Sequence, residues 1–355
     1  MSVLKLLAGI GSKAVYNPYI DKYHTETSPS GNIGTITSGG LKYIYGSCYV
    51  QSGKYLYTVT NQGTNEGYVK VFDISSGVLV EVGSHRYNSA YATDGTNPTC
   101  AYLNPYTMEF YFQTTFGSSN GYVYDVSVPT SPTQLTNAGT RNGYTGTQLP
   151  AVDTDEILYT SNSTSTPKIK SVDIANYTST PTLGTFSPAQ SFHTLVLNDD
   201  GLRAYTTYAG NVTAVNLTAP ASMSQYAYAA STTTSANTGS GLAVKGSYVY
   251  RMDYNYGCIT YDSSLNSVGN TLKSPNIQSG SGLTVITIGD DLLVATEGNS
   301  NGILSTFDIS NPASPVAIDA AALTGSSNAN IMAYYNGVLT ITNGSTDSIY
   351  YVDIT

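Results

Sequence analysis

Apolar and polar residues alternate along most of this chain in short runs, each bounded by Gly, Asn, Asp, Ser or Pro. In residues 67–74, Tyr68, Lys70 and Phe72 fall on one side of an extended chain, and Val69, Val71 and Asp73 on the other. A period of two predicts β-strands. Helical periodicity is absent from residue 31 onward. The first unit reads as four strands at 48–50, 55–60, 67–74 and 78–82, with a turn at Ser52-Gly53 between the first two. Later pairs of runs, expected to be the second and third strands of further units, stand at 109–114 and 121–126, 157–161 and 168–174, and 203–207 and 211–217. Three more follow at 247–252 and 257–262, 292–296 and 302–309, and 338–342 and 348–354.

The ends of the third strands echo one another. Phe72-Asp73-Ile74 returns as Tyr124-Asp125-Val126, Val172-Asp173-Ile174, Val215-Asn216-Leu217, Tyr261-Asp262, Phe307-Asp308-Ile309 and Val352-Asp353-Ile354. The acidic (once Asn) positions are 52, 48, 43, 46, 46 and 45 residues apart. A period of that size is one supersecondary unit stacked repeatedly. Turn chemistry agrees: Asn104-Pro105, Asp200-Gly201, Lys245-Gly246 and Asn336-Gly337 separate first from second strands. Pro129 to Pro132, Pro181, Pro220 and Pro312 to Pro315 stop pairing after the third. The expected fold is all-β, a seven-bladed β-propeller of four-stranded blades over residues 31–355. The chain ends just after the last third strand, and residues 32–38 are a spare strand. That strand is expected to complete the last blade and remove an open edge.

Two segments resemble known repeats. Asp308-Ile309-Ser310-Asn311-Pro312-Ala313-Ser314-Pro315-Val316 resembles the D-I-S-x-P-x-x-P-x segment of LVIVD-type propeller repeats, as does the stretch from Gly121 to Pro132. Asn198-Asp199-Asp200-Gly201-Leu202-Arg203-Ala204-Tyr205 is similar to the D-G-x-x-x-Y turn of YVTN-type repeats. The resemblance spans about residues 41–355. It implies the fold and no catalytic residue, since such proteins are mostly surface or scaffolding proteins and a fold does not fix a function.

Composition narrows the partners. Only 10% of residues are charged, the net charge is −9, and there are 32 Tyr and no Trp. The 14 Lys and Arg are scattered, which argues against a nucleic-acid partner. The apolar stretch 3–10 is too short for a membrane span and lacks the basic start of a secretion signal. Cys48, Cys100 and Cys258 suit buried thiols; a Cys48–Cys100 bridge is the alternative.

Binding is expected on the face that carries the longer loops: 84–98, 137–147, 227–240 and 270–280, with 61–66, 115–120, 253–256 and 297–301. The candidate ligand residues there are Arg86, Tyr87, Tyr91, Arg141, Tyr144, Tyr208, Arg251, Tyr254 and Tyr256, of types that anchor recognition surfaces. The acidic pairs Asp199/Asp200 and Asp290/Asp291, and Asp153/Asp155/Glu156, coincide with first-hairpin turns and are expected to shape them. The repeated Asp is expected to hydrogen-bond turn backbone. His24, His85 and His193 lack metal-ligand spacing, and no metal or cofactor is expected. No catalytic motif occurs, so no enzyme activity is expected.

Residues 1–30 form a separate arm. Val3, Leu6, Leu7 and Ile10 make one face of a short helix, followed by Tyr16, Tyr19 and Tyr23 in an extended strap. The arm is similar to the openings of marine bacteriophage virion proteins, which implies docking onto a particle. The leading expectation is a non-enzymatic virion-surface protein, a decoration, fibre or tail component in a homo- or hetero-oligomeric assembly. It would attach by its arm and present Tyr-rich loops to host glycan or protein. The alternatives are a secreted or surface-layer binding module of a prokaryote and a propeller enzyme such as a lactonase or glycoside hydrolase. The matching locations are the virion surface or, alternatively, the cell surface or extracellular space.

Overall fold

The computed structural model describes residues 49–52, 55–61, 67–73, 80–87, 98–104, 107–114, 121–138, 151–152, 157–162, 168–173, 182–187, 194–208, 210–230, 241–253, 257–270, 284–288, 292–296, 303–322, 329–335, 338–343 and 348–353. They form seven antiparallel sheets, numbered 1 to 7 in chain order, each with its strands in sequence order. Sheet 1 comprises Tyr49–Ser52, Tyr55–Asn61, Gly67–Asp73 and Val80–Tyr87. Sheets 1 to 6 have four strands each, and sheet 7 has three: Ala329–Tyr335, Val338–Asn343 and Ser348–Asp353. Every second and third strand begins and ends within one residue of the sequence expectation. The arm (1–30) and the spare strand (32–38) lie outside the described residues.

First strands of neighbouring sheets lie side by side, as in sheets 4 and 5, 5 and 6, and 6 and 7, and that of sheet 7 lies beside that of sheet 1. The sheets therefore stack face to face. Both faces of the inner strands are buried, as in the second and third strands of sheet 5, one against the preceding sheet and one against the following. Lys70, on the same side as Tyr68 and Phe72, is consequently buried like Val69 and Val71 on the other. The period of two separates two neighbours here, and not core from solvent.

Packing between sheets 1 and 2 shows what fills a seam. Tyr57, Val59, Val69, Val71 and Tyr87 of sheet 1 meet Phe110, Phe112, Tyr122 and Tyr124 of sheet 2. Phe112 and Tyr122 stack at 4.9 Å, and Tyr87 tilts against both at 5.1 and 5.2 Å. Burying each such ring contributes on the order of 2–3 kcal/mol. Between sheets 5 and 6 the filling is Tyr250, Met252, Cys258, Leu293 and Phe307.

The repeated acid closes the turn after the third strand. Asp125, Asp262 and Asp308 each accept the backbone N–H two residues on, from Ser127 at 2.9 Å, Ser264 at 2.8 Å and Ser310 at 2.8 Å. Asn216 does the same for Thr218 at 3.1 Å, so an amide carbonyl serves where the carboxylate is missing. One residue before this side chain, the pairing of third and fourth strands slips by one in all six four-stranded sheets, at Val71/Phe72, Val123/Tyr124, Ser171/Val172, Ala214/Val215, Thr260/Tyr261 and Thr306/Phe307. A bulge at a fixed place bends and twists each outer strand alike. It cannot be read from the residue pattern, because no one residue type marks it.

The turn carboxylates give the fold an acid dependence. The Asn266 side chain and the Asn266 and Ser264 N–H groups hold the Asp262 carboxyl below its ordinary range. A depressed folded pKa stabilises above the unfolded value near 4 and is lost as pH falls through the folded value. In urea unfolding, Asp262→Ala is expected to be less stable than wild type at pH 6, with the difference shrinking towards pH 3.

Candidate functional site

The described predicted residues divide between the surface and the interior of the sheets. Arg86 and Tyr87 stand on the fourth strand of sheet 1, since the ladder to the third strand runs on to the Gly67–Tyr87 pair. Arg86 is exposed there, but Tyr87 is only 2% exposed, its ring driven into the seam with sheet 2. Tyr87 is therefore a core residue and not a ligand contact. Tyr208 ends the second strand of sheet 4, opposite Asn211. Tyr91, Arg141, Tyr144, Tyr254 and Tyr256 lie outside the described residues, as do the arm residues Val3, Leu6, Leu7, Ile10, Tyr16, Tyr19 and Tyr23.

Arg251 is the second correction. It belongs to the second strand of sheet 5 (Tyr248–Asp253) and is fully buried. Like Val249 two residues earlier, it faces sheet 4, where Tyr205, Val212 and Ala214 wait. Its guanidinium pairs with Asp253, two residues along the same strand face, and donates from Nη1 to the Tyr261 hydroxyl at 3.4 Å. A buried cation needs such partners. Its Nε finds no partner among the described residues, yet with Nη1 and Nη2 held inside its own sheet and the side chain buried, Arg251 is unavailable to a ligand at the loop face.

Two lysines occupy the equivalent level of other sheets. Lys70, three residues before Asp73, is buried and reaches Glu81 of the fourth strand at 2.9 Å. Lys170, three before Asp173, has its ammonium pKa lowered by burial. The acids and imidazoles are equally committed. Asp200 accepts the Leu202 N–H at 2.8 Å, and Asp199 accepts the Gly246 N–H of the next sheet at 3.0 Å. His85 Nδ1 lies 3.1 Å from the Tyr124 hydroxyl, whose pKa burial pushes up. Burial also pushes the Cys258 thiol up to about 12. His24, His193, Asp153, Asp155, Glu156, Asp290 and Asp291 lie outside the described residues. Among the described residues no three His, Cys, Asp or Glu side chains stand together as a metal site.

Surface aromatics appear on an outer strand that runs into the stretch 227–240, expected to be loop. Tyr226 and Tyr228, on the fourth strand of sheet 4 (Ser224–Ala229), are 44% and 45% exposed. The Arg203 guanidinium sits 4.0 Å from the Tyr226 ring centre, a cation–π contact of about 0.5–1 kcal/mol at such a site. Leu202 is exposed on the neighbouring turn. The available signal was Tyr-Ala-Tyr in a strand after a Pro stop. An outer strand has no sheet edge beyond it, so alternate side chains escape burial.

The sequence matches no family model and no curated protein. Solved structures do match. A chain from the crystal structure of a mitotic checkpoint complex superposes with a TM-score of 0.65 at 10% identity, covering 90% of this chain and 93% of that one. The WD40 domain of Toxoplasma gondii coronin gives 0.65 and 10%, covering 90% and 83%. The chain is a β-propeller. At this identity the likeness is one of fold alone. Among the described residues of the propeller, no helix is long and apolar enough to cross a membrane.

Breaking the buried pair tests its structural assignment. Arg251→Ala removes the cation beside the buried Asp253 carboxylate and is expected to cost about 3–5 kcal/mol in denaturant unfolding. The double variant Arg251→Met/Asp253→Leu, which removes both charges, is expected to recover most of that loss.

Proposed function

We propose that this propeller is a non-enzymatic virion-surface protein, attached to its particle by residues 1–30 and presenting exposed tyrosines to a host glycan or protein. The observation that carries the binding role is the Tyr226–Tyr228–Arg203 patch, held on strands of a packed sheet rather than on loops. Tyr side chains give contact area at small entropic cost, and a stacked Arg adds directional donors. The carboxylates that repeat along the chain support the same reading, because they are spent on turns and buried pairs.

The proposed ring has seven blades, with residues 32–38 pairing to Ser348–Asp353 in sheet 7. Support comes from sheet 7 having three strands among the described residues and from its first strand lying beside that of sheet 1. Participation in a larger assembly fits the fold neighbour that was crystallised as part of a mitotic checkpoint complex.

Removing residues 1–23 is expected to leave a folded propeller that no longer incorporates into particles. Normal incorporation of the truncated protein, measured by quantifying it in purified particles, overturns the docking role. Tyr226→Ser/Tyr228→Ser is expected to lower particle attachment to host cells at unchanged incorporation.

A further inference from the structure

Three of the seams between sheets share a feature that sheets 2, 4 and 6 lack. On the fourth strands of sheets 1, 3 and 5, the residue paired just before the bulge is Gly83, Gly184 and Gly269. Each faces the proline-bearing turn of the following sheet. A Cβ on Gly83 would collide with the Pro129 carbonyl oxygen and Thr130, one on Gly184 with Pro220 and Ala221, and one on Gly269 with Pro312 and Ala313. The obstructing atoms are backbone and cannot swing away. Backbone thus seats directly on backbone across seams 1–2, 3–4 and 5–6. At seam 3–4 the Ser171 hydroxyl also donates to the Pro220 carbonyl at 2.6 Å.

Sheets 2, 4 and 6 carry Thr136, Ala227 and Asp319 at the same register position, so the glycine seat is missing from them. Seam 4–5 shows what replaces it. The turn of sheet 5 inserts the buried Leu265 side chain, at the cost of a left-handed backbone (φ 63°), and meets sheet 4 through the Tyr205 hydroxyl at 3.3 Å from the Ser263 carbonyl. The second hydrogen bond across this seam, from the Gly246 N–H to Asp199, is exposed to water.

Two buried cations lie on the other side of the glycine-bearing sheets. Lys70 and Arg251 belong to sheets 1 and 5, on the strand face opposite the glycine and towards the preceding sheet. Lys70 and Arg251 find their carboxylates within their own sheet, at Glu81 and Asp253. Opening such a seam returns desolvated charges to water, which offsets part of the cost of exposing its apolar side chains. Opening a glycine-seated seam brings no such return.

We infer that the propeller is built of rigid two-sheet modules, sheets 1–2, 3–4 and 5–6, and that it opens at the seams without a glycine seat. The seams 4–5 and 7–1, which also bury a cation, are the hinges. Local opening then spreads within a module and stops at its cation-bearing border.

Hydrogen exchange followed by mass spectrometry of the full chain tests this, using strain placed in single hairpins. Gly201 (φ 70°) in sheet 4 and Gly246 (φ 55°) in sheet 5 sit in left-handed turns, and a Cβ at Gly246 meets nothing within 4 Å. Alanine at either position is expected to raise exchange of its own sheet by about tenfold through backbone strain alone. For Gly246→Ala the increase is expected in sheets 5 and 6 and not in sheet 4, although Gly246 is bonded to sheet 4. For Gly201→Ala it is expected in sheets 3 and 4 and not in sheet 5. Exchange rising equally on both sides of the altered sheet, or across the whole ring at once, overturns the module.

Discussion

Everything in this protein depends on each sheet being covered on both faces by other sheets. A single four-stranded sheet with Tyr, Phe and Val on one face and Val, Thr or Lys on the other cannot hide both surfaces alone. Repetition solves this, because each copy supplies the cover for the one before it. The bulge, the Asx turn and the glycine seat then serve one purpose, which is to present the same outer shape to the next copy. Function is left to what this stacking does not consume.

That constraint also explains which residues were misjudged from the sequence. The strand centres and their acid-capped turns were legible because they rest on local chemistry: alternation, tight-turn residues and a side chain that reaches two residues ahead. Tyr87 and Arg251 were not. Both look like surface anchors at the end of a strand, and both are buried, because seam depth depends on how far the ladder extends and on what the neighbour offers. Residues 84–87 read as loop since His85 and Arg86 are polar, yet the third strand still had ladder partners to give them.

The candidate binding surface was legible only in kind. An excess of Tyr with few charges pointed to recognition by aromatic contact. Its place on the rim followed from the edge position of the fourth strand of sheet 4, where Tyr226 and Tyr228 have no further strand to cover them. Arg203, two strands inside, reaches Tyr226 across the third strand, a contact that sequence separation conceals.

The central claim is a closed, mutually covered ring whose arm docks and whose rim binds. A cryo-EM map of the protein in its native assembly tests it most directly. The account predicts seven sheets with residues 32–38 paired to Ser348–Asp353, the first 23 residues buried against a partner, and Tyr226 and Tyr228 open to solvent. An open ring, a solvent-exposed arm, or Tyr226 and Tyr228 covered by a neighbouring subunit would contradict it.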